Sequence, residues 1–155
     1  PMVMARLMQA ARIEDTDIAL VIAAATGFEA AAIAKLASAV VALESDEALK
    51  QSAATNLAAS GADTVSVLEG DLDKGHPGQG PYDVIFINGS VGELPASLID
   101  QLAEGGRLVY VKAGERAGGK AVLVTKDNGV VSESELFDAS VPALPEFAKK
   151  PAFNF

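Results

Sequence analysis

An apolar run too short for a helix, Ile18-Ala19-Leu20-Val21-Ile22, breaks off at a loop of small residues, Ala23-Ala24-Ala25-Thr26-Gly27. A helix-prone stretch, Phe28 to Ser38, comes next. Strand, tight loop and helix in that order build the cradle in which α/β folds hold phosphates and cofactors. The same alternation runs down the chain. Strands are expected at Ile18–Ile22, Val40–Leu43, Thr64–Leu68, Val84–Ile87, Arg107–Val111 and Ala121–Thr125, with a last one over Val130 to Ala139. Helices are expected at Pro1–Ala11, Gly27–Ser38, Asp46–Ser60 and Leu94–Ala103. Strands alternating with helices imply βαβ units and a parallel sheet. Asp127-Asn128-Gly129 signals a hairpin, so one strand of the sheet must run antiparallel. The fold class is therefore α/β: a doubly wound, seven-stranded, mostly parallel sheet with one antiparallel strand.

Three segments interrupt the alternation. Lys74 to Pro81 is a Gly/Pro-rich loop with room for one short helical turn. Ser132-Glu133-Ser134-Glu135 is polar in mid-strand, which suits an edge or a bulge. The tail, Pro142 to Phe155, reads as an irregular segment anchored on the core surface by its phenylalanines. In the first helix Met4, Leu7, Met8 and Ala11 share one face, and the methionines read as core filler.

A chain of 155 residues, half of them hydrophobic, suits one domain that buries roughly 70% of its unfolded surface. We take residues 1–155 as that single domain. No charge-free apolar run reaches the length of about 18 residues that a membrane span requires, and no signal peptide opens the chain. There is no cysteine, which excludes disulfides and thiol catalysis and fits the cytoplasm. A net charge of −9 repels phosphate backbones, so neither nucleic acid nor membrane is expected as a partner.

In such sheets ligands bind beyond the carboxyl ends of the strands. Three ends carry suggestive residues. The first is the loop Ala23–Gly27 with Phe28 beside it. The second is Glu44, 17 residues beyond Gly27, placed to accept from both hydroxyls of a ribose. The third is Gly70-Asp71-Leu72, where the acid can accept from an adenine amino group and the Leu72 N–H can donate to the ring. Each has a plainer reading: tight helix packing for the loop, solvated acids for Glu44 and Asp71. His76, the single histidine, stands in a loop with no partner for catalysis. No metal-ligand spacing, nucleophile elbow or phosphate-binding G-K-[ST] loop occurs.

Several segments carry a family resemblance. They are Gly70-Asp71 with Gly75; Pro81-Tyr82-Asp83-Val84-Ile85-Phe86-Ile87 leading to Leu94-Pro95; and Leu98 to Gly105-Gly106-Arg107-Leu108-Val109, leading to Val111 and Gly114. Pro1 and Ala5 fit at the start, and Leu136-Phe137 with Val141-Pro142 fit at the end. The chain resembles the protein-L-isoaspartate O-methyltransferases, a branch of the class I S-adenosylmethionine (SAM) methyltransferases. The resemblance implies a seven-stranded sheet with the last strand antiparallel and SAM as cofactor. It also implies a polypeptide or small carboxylate as methyl acceptor, in a repair that proceeds through a succinimide. The cofactor residues it implies are Ala23, Ala25, Gly27, Phe28, Glu44, Asp71 and Leu72; it assigns no catalytic side chain. That accords with the chemistry. A carboxyl group of pKa about 3.9 is already ionised at neutral pH, so in-line orientation, not a base, is what the reaction needs.

Two departures stand out. The family loop reads acid-x-Gly-x-Gly-x-Gly, and here those positions are Val21, Ala23, Ala25 and Gly27. A left-handed alanine costs roughly 1–2 kcal/mol, and each 1.4 kcal/mol lost from binding weakens affinity about tenfold. Val21 in place of the acid also removes the partner that the resemblance implies for the cofactor's methionyl portion, so SAM affinity is expected to be weak or absent. The family also carries a Ser or Thr two places before the residue matching Pro1, within a segment that helps bind substrate. Residues 1–155 are expected to lack that segment. The alternative function is a catalytically degenerate methyltransferase fold, used as a binding or interaction scaffold. A nicotinamide-dependent oxidoreductase fits less well, because Gly-x-Gly-x-x-Gly is absent.

Overall fold

The computed structural model describes residues 2–116 and 118–151. Pro1, Phe153 and Phe155 fall outside them. In chain order the elements are α1 (Met2–Ala11), β1 (Ile18–Ile22), α2 (Phe28–Ala34), β2 (Ala39–Glu44), α3 (Glu47–Ala59), β3 (Val65–Glu69), β4 (Tyr82–Val91), α4 (Ala96–Asp100), β5 (Leu102–Ala113), β6 (Gly119–Asp127) and β7 (Val130–Ala139). Short 3-10 turns cover Leu72–Lys74, Pro77–Gln79 and Pro145–Phe147.

The strands form one seven-stranded sheet in the order β3-β2-β1-β4-β5-β6-β7. The first five pair in parallel. β6 is antiparallel to β5 and to β7. The reversed strand is thus β6, and β7 runs in the same direction as β1–β5, which corrects the implied antiparallel last strand. Two successive hairpins explain it. Gly114 N–H donates to Gly118 O at 3.0 Å where β5 turns into β6, and Asn128, at φ 50, turns β6 into β7. A pair of reversals leaves the middle strand opposed.

Side chains alternate across β1. Ala19 and Val21 join the cluster under α1, α2 and α3, with Leu7, Ile33 and Leu57. Leu20 and Ile22 join the opposite cluster, with Leu98 of α4, Leu72 and Phe147. Both faces are covered, but three helices cover the first and one short helix, two turns and the tail cover the second. The helix expected over Leu94–Ala103 is only Ala96–Asp100, because Leu102 has left it to pair with Tyr82 of β4. β7 is the sheet edge, as its polar centre suggests, and Leu136 is the extra residue of a bulge opposite Ala121 and Val122.

Polar anchors fix both ends of the helical layer. Asp46 caps α3, its Oδ1 accepting from Leu49 N–H at 3.0 Å. Arg107 closes α1: its Nε donates to Ala11 O at 2.8 Å, and one Nη donates to Arg12 O at 3.0 Å and to the buried Asp17 carboxylate. The tail is tied to the end of β4. Ser90 N–H donates to Pro142 O at 2.8 Å and Leu144 N–H donates to Ser90 O at 3.0 Å. Phe147 is 2% exposed, as expected of an anchor. At Gly89 a Cβ would come within 2.5 Å of the Leu144 side chain, which would have to shift to make room.

Candidate functional site

The strand order reverses between β1 and β4, and their carboxyl ends open there. This is the switch point at which open α/β sheets bind ligands. The loop after β1 carries three positive φ angles: 64° at Ala23, 50° at Ala25 and 92° at Gly27. Both alanines therefore adopt the left-handed backbone that glycine takes freely. Gly27 has a second reason to be glycine, since a Cβ there would sit 3.2 Å from Leu57 of α3.

Strain of this kind persists only where the surroundings over-determine it, and here they do. Ala24 N–H donates to Leu43 O at 3.1 Å and Gly27 N–H to Ala24 O at 2.8 Å. Ala25 N–H donates to Glu44 Oε1 at 2.9 Å. Asn56 Nδ2 of α3 donates to Thr26 O at 3.0 Å, and Asn88 Nδ2 of β4 donates to Ala23 O at 3.2 Å. Each residue from Ala23 to Thr26 is held by β2, α3 or β4. The left-handed cost thus falls on folding and is already met before any ligand arrives. That removes the left-handed cost as a ground for weak affinity and leaves the bulk of two methyl groups and the valine at position 21.

Glu44 is 4% exposed at the end of β2. Besides Ala25, its carboxylate accepts from Ser45 N–H at 2.7 Å and Asp46 N–H at 3.0 Å. An ionised carboxylate has about four acceptor positions, so about one remains. Asp71 lies beyond β3, exposed and paired with Lys74 Nζ at 2.9 Å. That pairing raises the Lys74 pKa. Leu72 beside it is buried. The structure thus gathers Ala23, Ala25, Glu44, Asp71 and Leu72 at adjacent strand ends. Phe28 faces elsewhere. Its ring is 73% exposed and lines a 780 Å³ cavity with Met8, Leu36 and the turn after α3. Val21 is fully buried in the helix-covered cluster.

A second cavity, about 620 Å³, opens beside the loop. Met2, Ala25, Glu29, Asn88, Val141 and Leu144 are among its walls. Asn88 was not among the sequence candidates, although a polar residue directly after the apolar run Val84–Ile87 marks a fourth strand end. His76 is half-buried and serves through its backbone: its N–H donates to Gln101 Oε1 at 2.9 Å and its O accepts from Tyr82 OH at 2.5 Å. Among the described residues no cluster of His, Asp and Glu is placed to hold a metal, and no helix is long and apolar enough to cross a membrane.

The profile of the Protein-L-isoaspartate(D-aspartate) O-methyltransferase (PCMT) family matches residues 1–141. The chain belongs to this family. A Protein-L-isoaspartate O-methyltransferase of Methanoregula boonei is 41% identical over 120 residues, which cover 77% of this chain and 55% of that protein. One from Koribacter versatilis is 33% identical over 153 residues, 98% of this chain and 68% of that one. Among solved structures, a protein-L-isoaspartate O-methyltransferase superposes with a TM-score of 0.86 at 26% identity, covering 96% of this chain and 48% of that one. A Plasmodium falciparum protein assigned to the same family, solved with S-adenosyl-L-homocysteine, shares the fold at a TM-score of 0.76 and 21% identity. It is covered over 72% of its length, and this chain over 94%. The chain spans 55% and 68% of the two curated relatives named here.

Proposed function

We propose that this chain is the cofactor-binding and methyl-transferring part of a SAM-dependent protein-L-isoaspartate O-methyltransferase, acting on a carboxylate of a damaged polypeptide. One observation carries the proposal beyond family membership. The β1–α2 loop keeps a left-handed backbone at Ala23, Ala25 and Gly27 although two of the three are alanines. A fold that gave up this cradle would have no reason to hold it against strain.

The residues fit the adenosine part of the cofactor best. Glu44 would offer its remaining acceptor position to the ribose, Asp71 would accept from the adenine amino group, and Leu72 N–H would donate to the ring. The backbone of Ala23, Ala25 and Gly27 would line the remainder, while Phe28 lines the other cavity. The cofactor supplies an electrophilic methyl group on a sulfonium. The acceptor carboxylate is ionised at neutral pH, so no side chain has to remove a proton. What the chain contributes is position and the exclusion of water. The largely apolar walls from Met2, Val141 and Leu144 suit that task. A cytoplasmic setting accords with a chain that has no cysteine, and a net charge of −9 argues against nucleic acid as substrate.

The test is methyl-ester formation on an isoaspartyl peptide, with the matching aspartyl peptide as control, using the full gene product. Transfer to the isoaspartyl peptide alone supports the proposal. The scaffold reading draws on Glu44, whose carboxylate already accepts three backbone N–H groups. No SAM bound and no ester formed on either peptide would favour it.

A further inference from the structure

The 620 Å³ cavity beside the loop contains one ionisable side chain, Glu29, set among aliphatic walls and the Asn88 amide. Among the described residues no lysine, arginine or histidine pairs with it. Glu29 lies in the first turn of α2, and Ala25 of the loop before it lines the same cavity, so the carboxylate and the strained loop face one space. Neighbouring acids have other duties. Glu44 accepts three backbone N–H groups and keeps about one acceptor position, which the proposed function gives to the ribose, and Asp71 is paired with Lys74.

SAM carries an ammonium and a carboxylate at its amino-acid end. An ammonium that enters a space with apolar walls needs an acceptor, because burying an unpaired charge is costly. The Ala23 carbonyl is already engaged by Asn88. Position 21 cannot serve, since Val21 is fully buried in the core under the helices. We propose that Glu29 holds the ammonium of the cofactor's amino-acid end, and so decides that the site takes an amino-acid-bearing nucleoside instead of a bare one. The inference rests on the reading of this site as a SAM site. Glu29 is a binding and specificity residue in it, not a participant in methyl transfer.

Calorimetric titrations of the full chain with two ligands test it: S-adenosylhomocysteine, which carries the amino-acid end, and 5′-methylthioadenosine, which lacks it. Glu29→Ala sits on a half-buried helical position and favours helix, so the variant is expected to fold. Loss of a charge-assisted hydrogen bond should weaken S-adenosylhomocysteine about tenfold or more. 5′-Methylthioadenosine should stay within about twofold. Glu29→Gln, which keeps an acceptor but no charge, should fall between. Equal S-adenosylhomocysteine affinity in parent and variant, or parallel weakening of both ligands, overturns the assignment while the cofactor site stands. Failure of both ligands to bind the parent chain overturns the cofactor site and this inference with it.

Discussion

The two sides of the site keep their shape by different means. At the ends of β2 and β3 the work falls to carboxylates, with Glu44 buried under three N–H donors and Asp71 exposed against Lys74. At the ends of β1 and β4 it falls to backbone, with Ala23 and Ala25 held left-handed by hydrogen bonds from Glu44 and Asn88. Glu44 links the two sides, since it is at once the acid of the first and the clamp of the second. The difference teaches that a glycine-poor loop can keep a glycine-like path when its neighbours dictate it, with the left-handed cost falling on stability.

Removing the link should have the largest effect. Glu44→Ala strands three N–H donors at about 1 kcal/mol each. A loss near 3 kcal/mol is expected in urea denaturation, together with loss of nucleoside binding. A loss below about 1 kcal/mol would mean that the clamp does not set the loop. The strained side should respond in the opposite direction. Ala23→Gly and Ala25→Gly each relieve a left-handed penalty of roughly 1–2 kcal/mol, offset in part by the entropy of an added glycine. A net gain of about 0.5–1 kcal/mol per site is expected, read as a higher urea midpoint. Destabilisation at either position would break the contrast.

A third perturbation lies at the far end of β4, away from both sides. Burial pushes the Tyr82 phenol up to about 12 from 10.0. The unfolded chain ionises first, so this contribution is intact below pH 10 and is lost as the pH climbs toward 12. Tyr82→Phe should flatten that alkaline loss while leaving ligand affinity untouched. The smallest stability effect is expected at Asp71→Asn. The carboxylate and its Lys74 partner are exposed, so the urea midpoint should not move. Adenosine affinity should fall, which separates a ligand contact from a structural one.

Much of this was legible in the sequence, for identifiable reasons. Ile18–Ile22 is wholly apolar and bounded by turns, and its strand limits agree with the structure to the residue. Asp46 announced its helix by its own capping chemistry. Glu44 and Asp71 stand at the strand ends where the sequence places them, because strand ends are where sheets bind ligands. The left-handed φ at Ala23 and Ala25 could be stated only as a condition, since the bonds that impose it are made with Glu44 and Asn88, distant in sequence. The excess length given to the helix near Leu94–Ala103 has a similar origin: Leu102 is a good helix former, captured by pairing with Tyr82. The reversed β6 followed from a second hairpin at Gly114–Gly118, whose turn signal was diluted in a glycine-rich loop.

Calorimetric titration of the chain with S-adenosylhomocysteine tests the central claim most directly, namely that the loop pays for its alanines in folding and remains a cofactor cradle. The account predicts saturable one-to-one binding with a dissociation constant below about 1 mM. It also predicts that the Ala23→Gly/Ala25→Gly double variant raises stability more than it raises affinity. Absence of heat at millimolar ligand, in parent and double variant alike, would contradict it.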